Sequence, residues 1–367
     1  MTARLVLENL KHKPMRSLLS MFLIAVPVTL ILCLVGLSQG MLADSARRAR
    51  GIGADIVLRP PGSSLLTLSG APIPEKLVDV IQQKPHVALA IGMIVHPVSS
   101  LTFVTGIDLD KFNRMSGGYK YLQGGPFQGP DDIIVDEYYA QQNKLHAGEE
   151  VTDVLNHRWH VCGVVDGGKL GHLSVPVQTL QDLTGNTNKF SLIYVKADND
   201  TNIPAVLAEL KEFLPAYNIY TMEEFTSLLT VENVQGGALS KFIDVMVGIG
   251  VVIGFAVVLL SMYMAVLQRT REIGILKALG ASRWFILKII LAEAVVMGLG
   301  GTVAGIGLSF VARALIQALY PASLTQAITP GWWPIAGAIS LAGVLLGALY
   351  PGLSAAAQDP IEALAYE

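Results

Sequence analysis

Few residues in this 367-residue chain are equipped for chemistry. His157-Arg158-Trp159-His160, with His172 twelve residues on, is the histidine cluster a metal would use. A strand through this segment points His157 and His160 to opposite faces, which disfavours joint ligation. The acidic pairs Asp131-Asp132 and Glu149-Glu150 lie beside turns and read as solvated. Ser-His-Asp, H-E-x-x-H and nucleophile-elbow patterns are absent, and so is the phosphate-cradling G-x-x-x-x-G-K-[ST]. Gly236-Gly237-Ala238-Leu239-Ser240-Lys241 comes nearest and lacks the required ending. The expectation is therefore a chain without a catalytic residue, metal site or cofactor of its own. Two ionisable residues, Glu293 and Arg313, sit inside apolar stretches, where burying a charge in lipid is costly and marks a functional candidate. Glu293 reads as an interhelical hydrogen-bonding group rather than a substrate ligand.

The informative segment is Gln268–Arg283, QRTREIGILKALGASR. Ile273, Leu276 and Leu279 recur at helical spacing among Arg269, Arg271, Glu272 and Lys277, with the small residues Gly274 and Ala278 between them. Gly280 suits the position just past a helix end, and Ser282 suits the start of the next helix. The segment reads as a short amphipathic helix. It is either a basic loop that anchors its flanking spans or a docking helix for a cytoplasmic partner.

The elements that must position these residues follow from composition. The chain is 52% hydrophobic, 15% charged and has a mean hydropathy of +0.50, whereas ordinary soluble domains carry about 25% charged residues. A net charge of −3 argues against nucleic acid, and two cysteines exclude a disulfide scaffold. A helix needs about 20 apolar residues to cross a bilayer. Four stretches qualify, residues 17–39, 242–267, 289–316 and 332–354, in a 1 + 3 arrangement. The patterns Gly301/Gly305 and Gly343/Gly347 are small-xxx-small faces that let helices approach closely. Basic residues crowd the lead-in 1–16 and the loop 268–288, while the loop 317–331 has none. Both basic segments are thus expected in the cytoplasm, with both termini, including the tail 355–367. Residues 40–241 are then extracytoplasmic. That domain reads as α+β, with strands over Asp55–Leu58, Ala88–Val95, Ile133–Val135, Trp159–Val165 and Leu192–Val195 and helices over Glu75–Gln82, Glu137–Lys144 and Ile203–Phe213. The expected fold class is an α-helical membrane protein of four transmembrane helices carrying an inserted α+β extracytoplasmic domain.

With the segment Arg269–Ser282, Leu291-Ala292-Glu293-Ala294 and the glycines of 298–307, the chain closely resembles the FtsX/MacB/LolC-type permeases of ABC transporters. The stretch Asn9–Leu18, Tyr350-Pro351 and Asp359–Leu364 agree with it, and Ile134–Val151 and Val175–Leu183 read like the family's core. The resemblance implies a permease subunit of the bacterial inner membrane, served by a separate ABC ATPase subunit that binds the ATP. It also implies pairing as a homodimer or with a related permease. ATP-driven movement would then pass to the outside domain to export or extract a hydrophobic substrate such as haem, drug, lipid or lipoprotein. A periplasmic adaptor or lipoprotein and membrane lipid are further implied partners. The alternative is a membrane-anchored regulator or sensor, such as an activator of a cell-wall hydrolase. One departure stands out. Gly352–Gln358 lacks the Arg or Lys that the family carries there, so contact of the tail with ATPase or anionic lipid is not expected.

Overall fold

The computed structural model describes residues 14–63, 72–99, 102–235, 241, 245, 248–253, 255–256, 259–260, 263–264, 270–322 and 324–357. The chain divides into two compact units. One comprises Met1–Gln39, Ala238–Ile316 and Gln326–Glu367, the other Gly40–Gly237 with Gln317–Thr325.

Among the described residues, three helices are long and apolar enough to cross a membrane: Ser17–Arg50 within α1 (Pro14–Arg50), α9 (Arg283–Leu319), and Trp332–Ser354 within α10 (Trp332–Ala357). The expected span 242–267 lies only partly among the described residues. Helix α1 does not stop at 39 but runs on to Arg50. The extension, GMLADSARRAR, has no proline or β-branched residue to break it, and its last turn carries Arg47, Arg48 and Arg50, which suit the negative helix end. It ends at Gly51, where a Cβ would stand 2.1 Å from the carbonyl oxygen of Gly168.

In the first unit, α1 and α9 touch through glycine. A Cβ at Gly301 would lie 2.6 Å from Ile24, and one at Gly305 2.7 Å from Val28. Thr29 adds a hydroxyl bond to the Gly305 carbonyl at 3.0 Å. The second expected pattern does not behave alike. Gly343 has open space where its side chain would be, since it lines a cavity with Pro27 and Gly250, while Gly347 is buried. Contacts between α9 and α10 run instead through Gly298, against Leu341 and Val344, and Gly352, against Leu287.

The second unit is built on a ten-stranded mixed sheet in the order β12-β1-β11-β3-β4-β9-β6-β8-β5, with β7 beside β8. These strands are β1 (Ile56–Arg59), β3 (Val87–Pro97), β4 (Phe103–Ile107), β5 (Tyr121–Gly124), β6 (Asp132–Asp136), β7 (Glu150–Val151), β8 (Trp159–Val165), β9 (Leu173–Pro176), β11 (Leu192–Ala197) and β12 (Asn218–Thr221). The short strands β2 (Ile73–Pro74) and β10 (Lys189–Phe190) pair separately. Side chains alternate across a strand, and here both faces are covered. Val57, Ile91, Met93 and Tyr194 enter one core, and Ile56, Leu58, Ala90, Ile193 and Val195 another. Trp159, Ile133, Val135, Val161 and Leu173 form a third under the far half. Helices α2 (Lys76–Gln82), α3 (Leu109–Ser116), α4 (Glu137–Asn143), α5 (Val177–Thr184), α6 (Ile203–Phe213) and α7 (Met222–Gln235) connect the strands.

Candidate coupling site

The basic segment of the first unit forms helix α8 (Thr270–Ala278). Its end is a closed turn. The Ala281 amide donates to the Leu276 carbonyl at 3.0 Å, and the Gly280 amide donates to Lys277 at 2.9 Å. This paired arrangement needs a left-handed residue, which Gly280 supplies at φ +90°. Two residues on, the Ser282 hydroxyl accepts from the Phe285 amide at 3.2 Å and caps α9. The turn between α8 and α9 is thus held by its own backbone groups and the Ser282 hydroxyl.

The apolar residues of α8 split between two directions. Ile273 is buried, in a cluster with Ile286, Ile290 and Ala294 of α9 and Val344, Ala348 and Ala356 of α10. Gly274 is buried beside it. Ile275, Leu276 and Leu279 are exposed, Leu279 by 80%. Ile273 is therefore an anchor rather than part of an outward stripe, and Ile275, which the periodicity did not single out, takes its place. The Lys277 ammonium donates to the Ala356 carbonyl at 2.9 Å, holding α8 to the end of α10. Ala278 and Gly280 are exposed. Arg269 and the side chains of Arg271 and Glu272 lie outside the described residues. Of the two intramembrane ionisable residues, Glu293 is buried between Ile290 and Met297 on the packed face of α9, and Arg313 lines a cavity near its far end.

In the second unit the structure assembles an ionic cluster that sequence spacing could not show. Arg48, near the end of α1, donates to Asp44 at 2.6 Å and to Asp136 at 3.0 Å. Asp136 also accepts from the Tyr139 amide, capping α4, and faces His172 Nδ1 at 2.8 Å. Arg48 and Asp136 are both buried, and Tyr138 lies under the guanidinium at 6.0 Å. On the same helix α4, Gln142 accepts from the Ala322 amide at 3.2 Å. Segments 40–50 and 317–325, far apart in sequence, thus meet at the two ends of one short helix.

The histidines do not converge. His157 pairs with Asp131 at 2.8 Å, His160 with Asp132 at 2.9 Å, and His172 with Asp136. Among the described residues no group of three His, Cys, Asp or Glu side chains is placed to hold a metal. Asp131 and Asp132 are bound to histidines rather than simply solvated. Burial pushes Asp132 up, but the Gln128 and Gly129 amides and His160 outweigh it and hold the carboxyl below its ordinary range. Burial and the nearby Asp132 push the Cys162 thiol up to about 12, leaving it a poor nucleophile.

Residues 245–360 match the family described as FtsX-like permease C-terminal, and residues 17–213 the family described as MacB-like periplasmic core domain. An uncharacterized ABC transporter permease of Bacillus subtilis, YknZ, is 31% identical over 209 residues, 54% of this chain and 50% of that protein. The macrolide export ATP-binding/permease protein MacB of Aggregatibacter actinomycetemcomitans is 28% identical over 331 residues, 81% of this chain and 50% of its own. The chain spans about half the length of these two relatives. A second Bacillus subtilis permease, YvrN, is 23% identical and aligns over 99% of both chains. The solved extracellular domain of YknZ overlaps 46% of this chain and 99% of that structure at TM-score 0.36 and 18% identity. The periplasmic region of MacB from Actinobacillus actinomycetemcomitans overlaps 51% and 97%, at TM-score 0.38 and 18% identity.

Proposed function

Because this chain belongs to the MacB- and FtsX-like family of ABC transporter permeases, we propose that it is the non-catalytic, membrane-spanning part of such a transporter, receiving movement from an ABC ATPase through α8. In this reading it crosses the membrane four times, with residues 242–267 as the second span and residues 40–241 outside. The MacB relatives are named for both ATP binding and permease activity. These 367 residues carry no P-loop, so the nucleotide is assigned to another domain or polypeptide.

The observation that carries the proposal is the two-sided character of α8. Its outer side offers Ile275, Leu276 and Leu279, the kind of apolar anchor that fills a pocket in a partner. Its inner side is tied by Ile273 to α9 and α10 and by Lys277 to the last described turn of α10. A push on α8 therefore reaches the membrane helices without passing through a flexible linker. The membrane unit contains almost no intramembrane charge, which suits movement of helices better than a polar pathway through each subunit. Work is then done by the outside domain on a hydrophobic compound, lipid or lipoprotein, with pairing of two permeases and an adaptor where one is used.

The test is co-purification with an ABC ATPase co-expressed from the same genome. Leu276→Asp or Leu279→Asp should weaken association roughly 30-fold, the size expected when an anchor worth about 2 kcal/mol is lost, while the permease remains inserted. Unchanged ATPase binding and stimulation in both variants would remove α8 as the docking element, whereas a wild-type chain that binds no ATPase would favour the membrane-anchored regulator instead.

A further inference from the structure

Arg313 lies six residues before the end of α9, in a helix whose composition fits a bilayer. Its Nε atom is fully buried and has no hydrogen-bond partner. Arg313 as a whole is half-buried, and a buried N–H of a charged group left without a partner costs the fold stability. Within residues 289–358 the single carboxylate is Glu293, which at 1.5 Å rise per residue stands about 30 Å away along the same helix.

A second orphan lies in the same place. Gln326 is 7% exposed, and its Oε1 is likewise buried without a partner. Arg313 and Gln326 line one partly open pocket, together with Ser309 and Trp333. The Ser309 hydroxyl already donates to the Ile306 carbonyl at 2.7 Å, so toward the cavity it can only accept. The site thus offers the cationic donor of Arg313 and acceptor oxygens on Gln326 and Ser309. Trp333, meeting the edge of Phe310 at 6.0 Å, forms an aromatic wall of the kind found at headgroup depth. Along α9 the exposed Val303 and Phe310, seven residues apart on one face, continue the cavity as an apolar track.

We propose that this cavity is a phospholipid headgroup site: Arg313 binds the phosphate, and Gln326 and Ser309 accept N–H bonds from an ethanolamine ammonium, while the acyl chains follow the apolar face of α9. The chemistry discriminates between headgroups. Phosphatidylcholine offers the same phosphate but no N–H, so it leaves the Gln326 Oε1 unsatisfied. The proposal depends on the membrane reading above. It takes from the topology only which leaflet supplies the lipid.

The full-length chain, stripped of lipid in detergent and offered phosphatidylethanolamine or phosphatidylcholine in mixed micelles, is read by native mass spectrometry. One phosphatidylethanolamine should be retained per chain in preference to phosphatidylcholine. Arg313→Gln should lower retention of both about ten-fold, the scale of one charge-assisted hydrogen bond, and Arg313→Lys should restore part of it. Gln326→Leu should erase the preference while leaving phosphate binding. Equal retention in wild type and Arg313→Gln overturns the site. So does displacement of the lipid by soluble phosphoethanolamine at matched occupancy, which would make it a site for a free anion. Dissociation of a dimer by Arg313→Gln with lipid retention intact would assign the guanidinium to a carboxylate of a second copy. Cysteine labelling of the two sides of the membrane tests the topology separately, so failure of one is distinguishable from failure of the other.

Discussion

At the scale of single residues, the buried pair Arg48 and Asp136 sets the sharpest expectation for the outside unit. Removing one partner of a buried ion pair leaves the other charge uncompensated, typically at about 3–5 kcal/mol. Arg48→Met or Asp136→Leu alone should therefore lower the thermal midpoint of the purified chain strongly. The double variant should recover much of the loss, because two well-packed apolar groups replace two charges. Equal damage in single and double variants would show that Asp44 and His172 carry the cluster instead. Asp132 gives a pH dependence. Its folded carboxyl titrates below its unfolded value, so its stabilisation is fully present above about pH 4 and is lost as pH falls through the folded value. Asp132→Asn should cost about 1–2 kcal/mol at neutral pH, and the gap to wild type should close on acidification below about pH 4. A gap independent of pH would contradict the assignment. None of these partners could be read from the sequence. Arg48 and Asp136 are 88 positions apart, and nothing in either neighbourhood marks the other.

At the scale of elements, close helix contact makes position-specific demands. Gly301→Leu and Gly305→Leu place side-chain atoms where Ile24 and Val28 already stand, so each should destabilise the membrane unit by an amount typical of overpacking, about 1–3 kcal/mol or more. Gly343→Leu meets open space and should be far milder, a contrast that steric trapping or detergent-resistance assays can measure. The small-xxx-small pattern alone does not separate these glycines, because it reports what a helix permits and not which neighbour arrives. Helix α8 was more legible. Its Gly280 turn and the Ser282 cap are local chemistry and could be written down from residue types. Which of its apolar residues face outward was not, since Ile273 is claimed by α9 and α10, elements that follow it in the chain.

At the scale of the whole molecule, topology is the open expectation. Asp198→Cys should react with a membrane-impermeant maleimide in intact cells and Ser282→Cys should not, with little background from Cys162, whose thiol is held in its neutral form. The reverse pattern would invert the orientation. By itself the sequence determined that this is a membrane chain with a large inserted mixed domain, where its strongest strands and helices lie, and to which permease family it is related. Each of these rests on local composition, period or motif, and local signals survive without knowledge of the fold. Tertiary structure alone decided the strand order, with β4 beside β9 and β6 beside β8 in parallel, the meeting of segments 40–50 and 317–325 on α4, the pairing of His157, His160 and His172 with separate carboxylates, and the two orphaned groups at Arg313 and Gln326. Those are products of long-range packing. The free energy that selects a partner across many residues comes from burial and charge satisfaction in the assembled fold, and no stretch of sequence read in isolation contains it.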